Sequence, residues 1–141
     1  MAITEHPALG SVVMCDFSAG FAEPEMVKRR PVVIVSPKII GRHHLCTVVA
    51  LSTTAPEPVM QYHCQIDLPQ ELPDWFEKEG VWVKGDMVAS VGFHRLDLVR
   101  LGKDVRGRRE YCYRSVTDEN LRKIRRCVLA GMGMVQLTKH L

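Results

Sequence analysis

The stretch Glu25–Pro37, EMVKRRPVVIVSP, places three cationic side chains and a proline before a run of four β-branched residues, and a second proline follows that run. β-branched residues favour strands, and Pro31 is tolerated at the head of a strand, where its missing N–H can face outward. A proline also forces the residue before it into an extended conformation, so Arg30 is predicted to lie at the rim of a rigid sheet. The stretch therefore predicts a buried strand with positive charge at its mouth.

Further strands are predicted on both sides of this stretch. β-branched or alternating runs occupy SVVMCDF (11–17), HLCTVVALST (44–53), MQYHCQIDL (60–68) and VWVKGDMVASV (81–91). In the last run, Gly85 predicts a bulge or tight bend. A hairpin is predicted near Gly107, between LDLVRLG and RREYCYR.

Helical periodicity occurs in two places. Residues 73–79, PDWFEKE, predict one or two helical turns closed by Gly80. Thr117 predicts the N-cap of a longer C-terminal helix, along which apolar residues recur every three or four positions: Leu121, Ile124, Val128, Met132 and Val135. Short strands with one packing helix predict an α+β fold, a small and strongly bent antiparallel β-barrel with the C-terminal helix packed on it.

Length and composition predict one domain over residues 1–141, since 141 residues of which 46% are hydrophobic suffice for one core. No apolar run approaches the roughly 20 residues that span a bilayer, and the first residues do not resemble a signal peptide. We therefore expect a cytoplasmic protein without a membrane partner. The five cysteines are odd in number and lack CxxC spacing, which predicts reduced thiols.

Charge is divided unevenly along the chain. Residues 55–80 carry six acids and one base, a net charge of −5, whereas residues 100–126 carry ten bases and four acids, a net charge of +6. Such a division suits a polyanionic ligand on one part of the surface, although a solvated surface without a partner gives the same pattern. The six histidines lack ligand spacing and no nucleotide-binding motif occurs, so we predict no metal and no cofactor.

The candidate functional residues surround the opening stretch. The guanidinium of Arg30 is planar and permanently charged, which suits it to clamp a phosphodiester. Lys28, Arg29 and Arg30 are alternatively gatekeeper charges at a strand end. The hydroxyls of residues 52–54 either cap a turn or donate to a phosphate oxygen, and Glu25 is placed to orient the arginine or to act as a base.

These segments, in this order, resemble the MazF/PemK toxins of bacterial type II toxin–antitoxin systems. The resemblance rests on LGSVVMCDF, EMVKRRPVVIVSP, TVVALSTTAP and GDMVASVGFHRL before a C-terminal helix, and it spans about residues 9–135. It implies an SH3-like barrel that forms a homodimer and acts as a sequence-selective endoribonuclease on single-stranded RNA. It also implies a cognate antitoxin whose acidic segment covers the cleft.

The resemblance assigns roles to individual positions. The arginine before the strand proline is Arg30, the acid five residues ahead is Glu25, and the catalytic hydroxyl falls on Ser52, or on Thr53 if the register shifts by one. The residues expected to contact RNA are Lys28, Arg29, Trp82, Asp86, Ser90 and Arg95. Three positions depart from the family pattern, which implies a different base preference: Met87, Ala89 and Gly92.

The implied reaction is metal-independent attack of a ribose 2′-hydroxyl on the adjacent phosphorus, which leaves a 2′,3′-cyclic phosphate. Arg30 with Ser52 or Thr53 would stabilise the charge on the phosphoryl oxygens. The resemblance also implies a proton-transfer role for Arg30. Because a guanidinium stays protonated at neutral pH and is a poor base, Glu25 and His63 are the alternative proton acceptors. Three aromatic residues are candidates for base stacking or for the core: Trp82, Phe17 and Phe93.

The alternative function is a non-catalytic, growth-inhibiting binding protein of the same barrel fold, similar to the gyrase-poisoning toxins. The Arg30 cluster discriminates between the two functions, because a gyrase-binding protein does not require an arginine and a hydroxyl that face one phosphate.

Overall fold

A computed structural model describes residues 3–141 of the chain, and these form eight strands, one α-helix and two 3₁₀ helices. The strands are β1 (Val12–Asp16), β2 (Arg29–Ile34), β3 (Leu45–Ser52), β4 (His63–Ile66), β5 (Val81–Gly92), β6 (Leu96–Leu98), β7 (Arg100–Lys103) and β8 (Arg109–Tyr111). The α-helix is α1 (Asp118–Gly131), and the 3₁₀ helices are Phe93–Arg95 and Val135–His140.

Six strands form one antiparallel sheet in the order β4-β5-β3-β2-β1-β6, and β7 pairs with β8 in a separate hairpin. The predicted α+β class, an antiparallel barrel-like sheet with a C-terminal helix, is confirmed. The sheet buries both of its faces. Val33 of β2 packs into a core beneath α1, whereas its neighbours Val32 and Ile34 pack into a second core on the other face. This double burial explains why the second half of β2, Val32–Ile34, is an unbroken β-branched run instead of an alternating one.

The β7–β8 hairpin turns at Gly107, as predicted, and this glycine has a φ of +78°. The Asp104 carboxylate closes the turn by accepting hydrogen bonds from the backbone N–H groups of Arg106 at 2.8 Å and Arg108 at 2.9 Å. A side chain that satisfies the loop backbone in this way holds the hairpin tip in one conformation.

The bulge predicted at Gly85 is confirmed. Val49 pairs with Val88 while the next residue, Ala50, pairs with Lys84, so residues 85–87 are extra on β5. A Cβ atom on Gly85 would lie 2.5 Å from the backbone carbonyl carbon and oxygen of Cys127 in α1. Glycine at this position therefore lets the helix backbone rest directly on the sheet.

Helix α1 begins as predicted but ends earlier. The Thr117 hydroxyl accepts a hydrogen bond from the backbone N–H of Asn120 at 3.1 Å, which confirms the N-cap. The predicted apolar stripe was wrong beyond Val128, because α1 ends at Gly131 and Met132 is 55% exposed. Gly133 adopts a φ of +74°, a left-handed conformation through which an α-helix cannot continue.

The helix predicted over residues 73–79 is absent. This segment forms tight turns, in which the N–H of Phe76 donates to the carbonyl of Pro73 at 2.9 Å. Tertiary packing explains the difference, since Leu72 and Phe76 are both anchored in the core and the Lys78 ammonium donates to the carbonyl of Leu72. Gly80 does not cap a helix; its N–H donates to the Asp67 carboxylate at 2.9 Å.

All five cysteines are free thiols, as predicted, and Cys64 is the only one that is not fully buried. Burial raises the pKa of the Cys15 thiol to about 12 and that of the Cys46 thiol to about 11, so both remain protonated at neutral pH. Among residues 3–141, none of the helices has the length and apolarity needed to cross a bilayer.

We predict that Gly85→Ala lowers the free energy of unfolding by about 2 kcal/mol, because the new methyl group pushes the α1 backbone away from the sheet. Urea denaturation followed by tryptophan fluorescence measures the change. Gly92→Ala, on the same strand, is the matched control, since its Cβ would meet only the movable side chain of His94. Equal stability of the two variants would contradict the prediction.

Candidate active site

Arg30 and Ser52 face the same side of the sheet. Val32 of β2 pairs with Ala50 of β3, and continuing this antiparallel register by two residues places Arg30 opposite Ser52. Neither strand is bulged between these positions, since β2 keeps one register against β1 as far as Arg29 and β3 keeps one register against β5 from Ala50 to Ser52. Opposed residues in antiparallel strands project from one face, so the arginine and the hydroxyl share a surface.

The same row continues across the sheet. Ser52 pairs with Trp82 of β5, and Trp82 pairs with Gln65 of β4. The row of Arg30, Ser52, Trp82 and Gln65, called the Arg30 row below, therefore crosses four adjacent strands on one face. Lys84 lies one step along β5 on this face and adds a second cation close to the row.

The Arg30 guanidinium is anchored at one nitrogen and available at the others. Its Nε donates to the carbonyl of Val27 at 3.3 Å, and among residues 3–141 no further group bonds its terminal nitrogens. The side chain is half-buried beside a cavity of about 530 Å³, which the loop residues 23–27 and Met87 also line. Glu25 is exposed in this wall without forming an ion pair with Arg30 among the described residues. The site thus offers a guanidinium whose terminal nitrogens have no partner among residues 3–141, with the Glu25 carboxylate in the wall of the same cavity.

The Ser52 hydroxyl takes part in a turn at the end of β3. Its Oγ accepts a hydrogen bond from the N–H of Thr54 at 3.1 Å and donates weakly to the carbonyl of the same residue at 3.3 Å. Ser52 therefore caps the turn, as one of the two sequence-based interpretations predicted, and the hydrogen bond from Thr54 holds its Oγ in place. The hydroxyl proton can still turn toward a ligand, because its present bond is long. Thr53 lies beyond the strand end and is exposed.

His63 of β4 lies on this face but is engaged by the protein. Its Nδ1 accepts a hydrogen bond from the N–H of Met60 at 3.0 Å, and its Nε2 lies 3.9 Å from the Asp86 carboxylate. The side chain is 7% exposed, and burial holds its pKa below the ordinary value despite the opposing effect of Asp86. A neutral histidine whose lone pair is already occupied is a poor base, which leaves Glu25 as the better candidate.

Three residues expected to contact RNA do not join the Arg30 row. Arg29 faces the other side of the sheet, where its Nη2 lies 3.4 Å from the Asp97 carboxylate. Ser90 accepts a hydrogen bond from Arg42 at 2.9 Å near the opposite end of β5. Arg95 donates to the carbonyl of Asp16 at 3.1 Å, so it supports the start of the loop that carries Glu25.

The predicted base-stacking residues and Lys28 differ in how exposed they are and in how close they lie to the Arg30 row. Phe17 is 1% exposed and packs edge-on against Phe21, so its ring has no open face for a base. Phe93 stacks on His44 near the start of β3, far from Ser52 at its end. Trp82 is half-buried within the row, and Lys28 is exposed just before β2. Trp82 is therefore the aromatic residue best placed to stack on a bound base.

Sequence reasoning missed two residues of this face, and it named a third, Met87, only as a departure from the family pattern. Lys84 and Gln65 follow from the period-two alternation of β5 and β4 once their register is known, but a single sequence does not give that register. Met87 reaches the Arg30 cavity only because the bulge at residues 85–87 shifts the alternation. Residues 3–141 contain no group of three or more His, Cys, Asp or Glu side chains placed to hold a metal ion.

Comparison with protein families gives one match over most of the chain. A family model described as "PemK-like, MazF-like toxin of type II toxin-antitoxin system" matches residues 8–129. Among individual sequences, the chain is similar to YifN of Escherichia coli (strain K12), an uncharacterized protein, at 26% identity over 97% of this chain and 99% of that protein.

Comparison with solved structures finds the same fold. MazF from Deinococcus radiodurans superposes with a TM-score of 0.60 at 23% identity, covering 92% of this chain and 99% of that one. An endoribonuclease in complex with its cognate antitoxin from a mycobacterial species gives a TM-score of 0.57 at 21% identity, covering 92% of this chain and 97% of that one. At these identities the similarity establishes the fold alone.

We predict that His63 makes the protein less stable in mild acid. Its pKa is lowered on folding, so the unfolded chain binds the proton more readily, and the free energy of unfolding falls as pH drops through the ordinary histidine pKa of about 6.5. Urea titrations at pH 7.5 and pH 5.5 measure the difference. His63→Asn, which keeps an acceptor for Met60, should reduce it, while exposed His94→Asn should not. Equal pH dependence in all three proteins would contradict the prediction.

Proposed function

Because this chain belongs to the PemK-like, MazF-like toxin family of type II toxin–antitoxin systems, we propose that it is an endoribonuclease that cleaves single-stranded RNA at the Arg30 row without a metal ion. One observation carries the proposal. The register that pairs Val32 with Ala50, continued by two residues, brings the Ser52 hydroxyl opposite an arginine whose terminal nitrogens have no partner among the described residues. Two such donors can reach one phosphate.

In this mechanism the ribose 2′-hydroxyl attacks the adjacent phosphorus while Glu25 accepts its proton. The carboxylate is exposed in the cavity that Arg30 also lines, and it is not neutralised by an ion pair among residues 3–141. The bond to the 5′-oxygen breaks, that oxygen takes a proton from solvent, and the product is a 2′,3′-cyclic phosphate. DNA lacks the attacking hydroxyl and is not cleaved.

Arg30 and Ser52 stabilise the negative charge that builds up on the phosphoryl oxygens. The 3.3 Å bond from Nε to the carbonyl of Val27 favours an orientation of the guanidinium in which its terminal N–H groups have no partner among residues 3–141. The hydrogen bond from the Thr54 N–H holds Ser52 Oγ in place. Donors that need no reorganisation during the reaction contribute about 3 kcal/mol each, which removes the requirement for a metal ion at the phosphate.

Base recognition would use the rest of the same face. Trp82, the next residue in the row, offers an indole for stacking, and Lys84 offers a cation to a flanking phosphate. Met87 presents an apolar thioether in the wall of the Arg30 cavity, where it can contact a base but cannot donate a hydrogen bond. Because Met87 departs from the family pattern, we expect a base preference that differs from that of familiar members.

An acidic antitoxin segment is the proposed natural inhibitor, bound across the same cations. The mycobacterial endoribonuclease with a similar fold is in complex with its cognate antitoxin, and the Arg30 guanidinium, whose terminal nitrogens have no partner among residues 3–141, would bind a carboxylate as readily as a phosphate. We also infer a cytoplasmic homodimer from membership of the family. A single domain over residues 1–141 would then form each half of the enzyme.

We predict that Arg30→Ala lowers kcat/KM on a long single-stranded RNA in EDTA by roughly 10²–10³-fold, because one preorganised donor to the phosphate is removed. Arg126→Ala, which removes an exposed arginine from α1, is the matched control and should retain full activity. Gel analysis of the products with a test for cyclic phosphate ends measures both. Cleavage that requires added metal, or that survives Arg30→Ala, would rule out the mechanism. Absence of any cleavage by the wild type would favour the non-catalytic, gyrase-binding alternative.

The register of β3 predicts which hydroxyl is used. Ser52→Ala should lower kcat/KM about 10²-fold and Ser52→Thr should restore most of it, since Ser52 lies opposite Arg30. Thr53→Ala should change kcat/KM by less than a few-fold, because Thr53 lies beyond the paired end of the strand. Single-turnover cleavage of a short RNA compares the three variants. A larger effect at Thr53 than at Ser52 would refute the assignment.

A further inference from the structure

The face of the sheet opposite the Arg30 row carries a second positive surface that the proposed cleavage does not use. Arg29 of β2, Arg100 of β7 and Arg109 of β8 line a cavity of about 380 Å³, together with Trp75 and Tyr111. We call this the Arg29 surface. It combines residues from the main sheet, the β7–β8 hairpin and the loop before β5.

The charge of this surface is not balanced locally. Asp97 is the one carboxylate in the cavity lining, and it lies 3.4 Å from the Arg29 guanidinium. Arg100 and Arg109 therefore remain in excess, and the hairpin continues the positive charge through Lys103, Arg106 and Arg108. The acids on the hairpin are Glu110 and Asp104, and Asp104 is occupied by backbone N–H groups of the turn. A polyanion is the ligand that this excess charge favours.

Trp75 gives the surface a flat apolar element. Its side chain is 70% exposed, although the neighbouring Phe76 is buried in the core with its ring centroid 5.5 Å from that of the indole. The buried neighbour anchors the segment, so the indole projects from a fixed position. An exposed aromatic ring beside guanidinium groups is the combination that binds unpaired bases by stacking and phosphates by charge.

The chain connects this surface directly to the Arg30 row. Arg29 and Arg30 are consecutive residues at the first positions of β2, and they project to opposite faces of the sheet at its rim. A single-stranded RNA bound at Arg30 would therefore meet the Arg29 surface as soon as it passes over this rim of the sheet. We propose that the Arg29 surface is a second, non-catalytic binding site for the single-stranded RNA substrate, with a base on Trp75 and phosphates on Arg100 and Arg109.

This inference rests on the proposed function and extends the substrate path beyond the cleavage site. RNA fits the surface better than an acidic protein segment does, because the exposed indole of Trp75 offers a flat face for a base beside arginines that can bind phosphates. The planar guanidinium groups also stack on bases.

Binding of uncleavable 2′-O-methyl RNA tests the proposal. A short strand should contact the Arg30 row alone, and a strand several times longer should also reach the Arg29 surface. The Arg100→Ala/Arg109→Ala double variant should bind the long strand at least tenfold more weakly, with the slope of log K against log salt reduced by about 0.7 for each phosphate that the variant no longer neutralises. Trp75→Ala should weaken binding of the long strand with little change in this slope, and the short strand should be unaffected by either change.

The matched control is Arg122→Ala/Arg126→Ala, which removes the same charge from the exposed side of α1. Thermal denaturation confirms that each variant is folded. Equal weakening by the control would overturn the proposal, since net charge alone would then explain the effect. Unchanged RNA binding by the test variant would also overturn it, and weaker binding of a polyglutamate peptide in that case would assign the surface to a protein partner.

The experiment separates this proposal from the proposed cleavage. If the wild type binds the long strand through Arg100 and Arg109 but does not cleave unmodified RNA, the second site stands and the proposed function fails. If Arg30→Ala abolishes cleavage while the double variant binds the long strand as the wild type does, the second site fails alone.

Discussion

The antiparallel register that joins β1, β2 and β3 is the constraint on which the rest of the molecule depends. It continues through Pro31 without a bulge, so the side chains of β2 alternate strictly between the two faces of the sheet from Arg29 onward. Val32 and Val33 are both completely buried, on opposite faces. A strand packed on both sides cannot shift its register without exposing one core, and this immobility holds Arg30 opposite Ser52.

Much of the fold could be predicted from sequence, because the signals were local. The N-cap at Thr117, the bulge at Gly85 and the strand that begins before Pro31 each follow from residue types over a few positions. The helix expected at residues 73–79 failed because burial of Leu72 and Phe76, which depends on distant residues, overrode local propensity.

The site was less predictable for a geometric reason. Residues 86–95 look like one motif in sequence, but most of them lie along a twelve-residue strand that crosses the sheet from one end to the other. Met87 therefore borders the Arg30 cavity while Ser90 bonds Arg42 elsewhere. The pairing of Arg30 with Ser52 was accessible from the family resemblance, whereas Trp75 and the hairpin arginines required the three-dimensional arrangement.

The contact between Gly85 and the backbone of Cys127 links the C-terminal helix to the Arg30 cavity. The helix rests on the same bulge that carries Met87 to the side of Arg30. The position of the helix thus determines the shape of the bulge, and through Met87 it determines the shape of the cavity wall. Anyone who redesigns the cavity of this protein, or grafts it onto another barrel, must transplant the bulge and the helix above it as one piece.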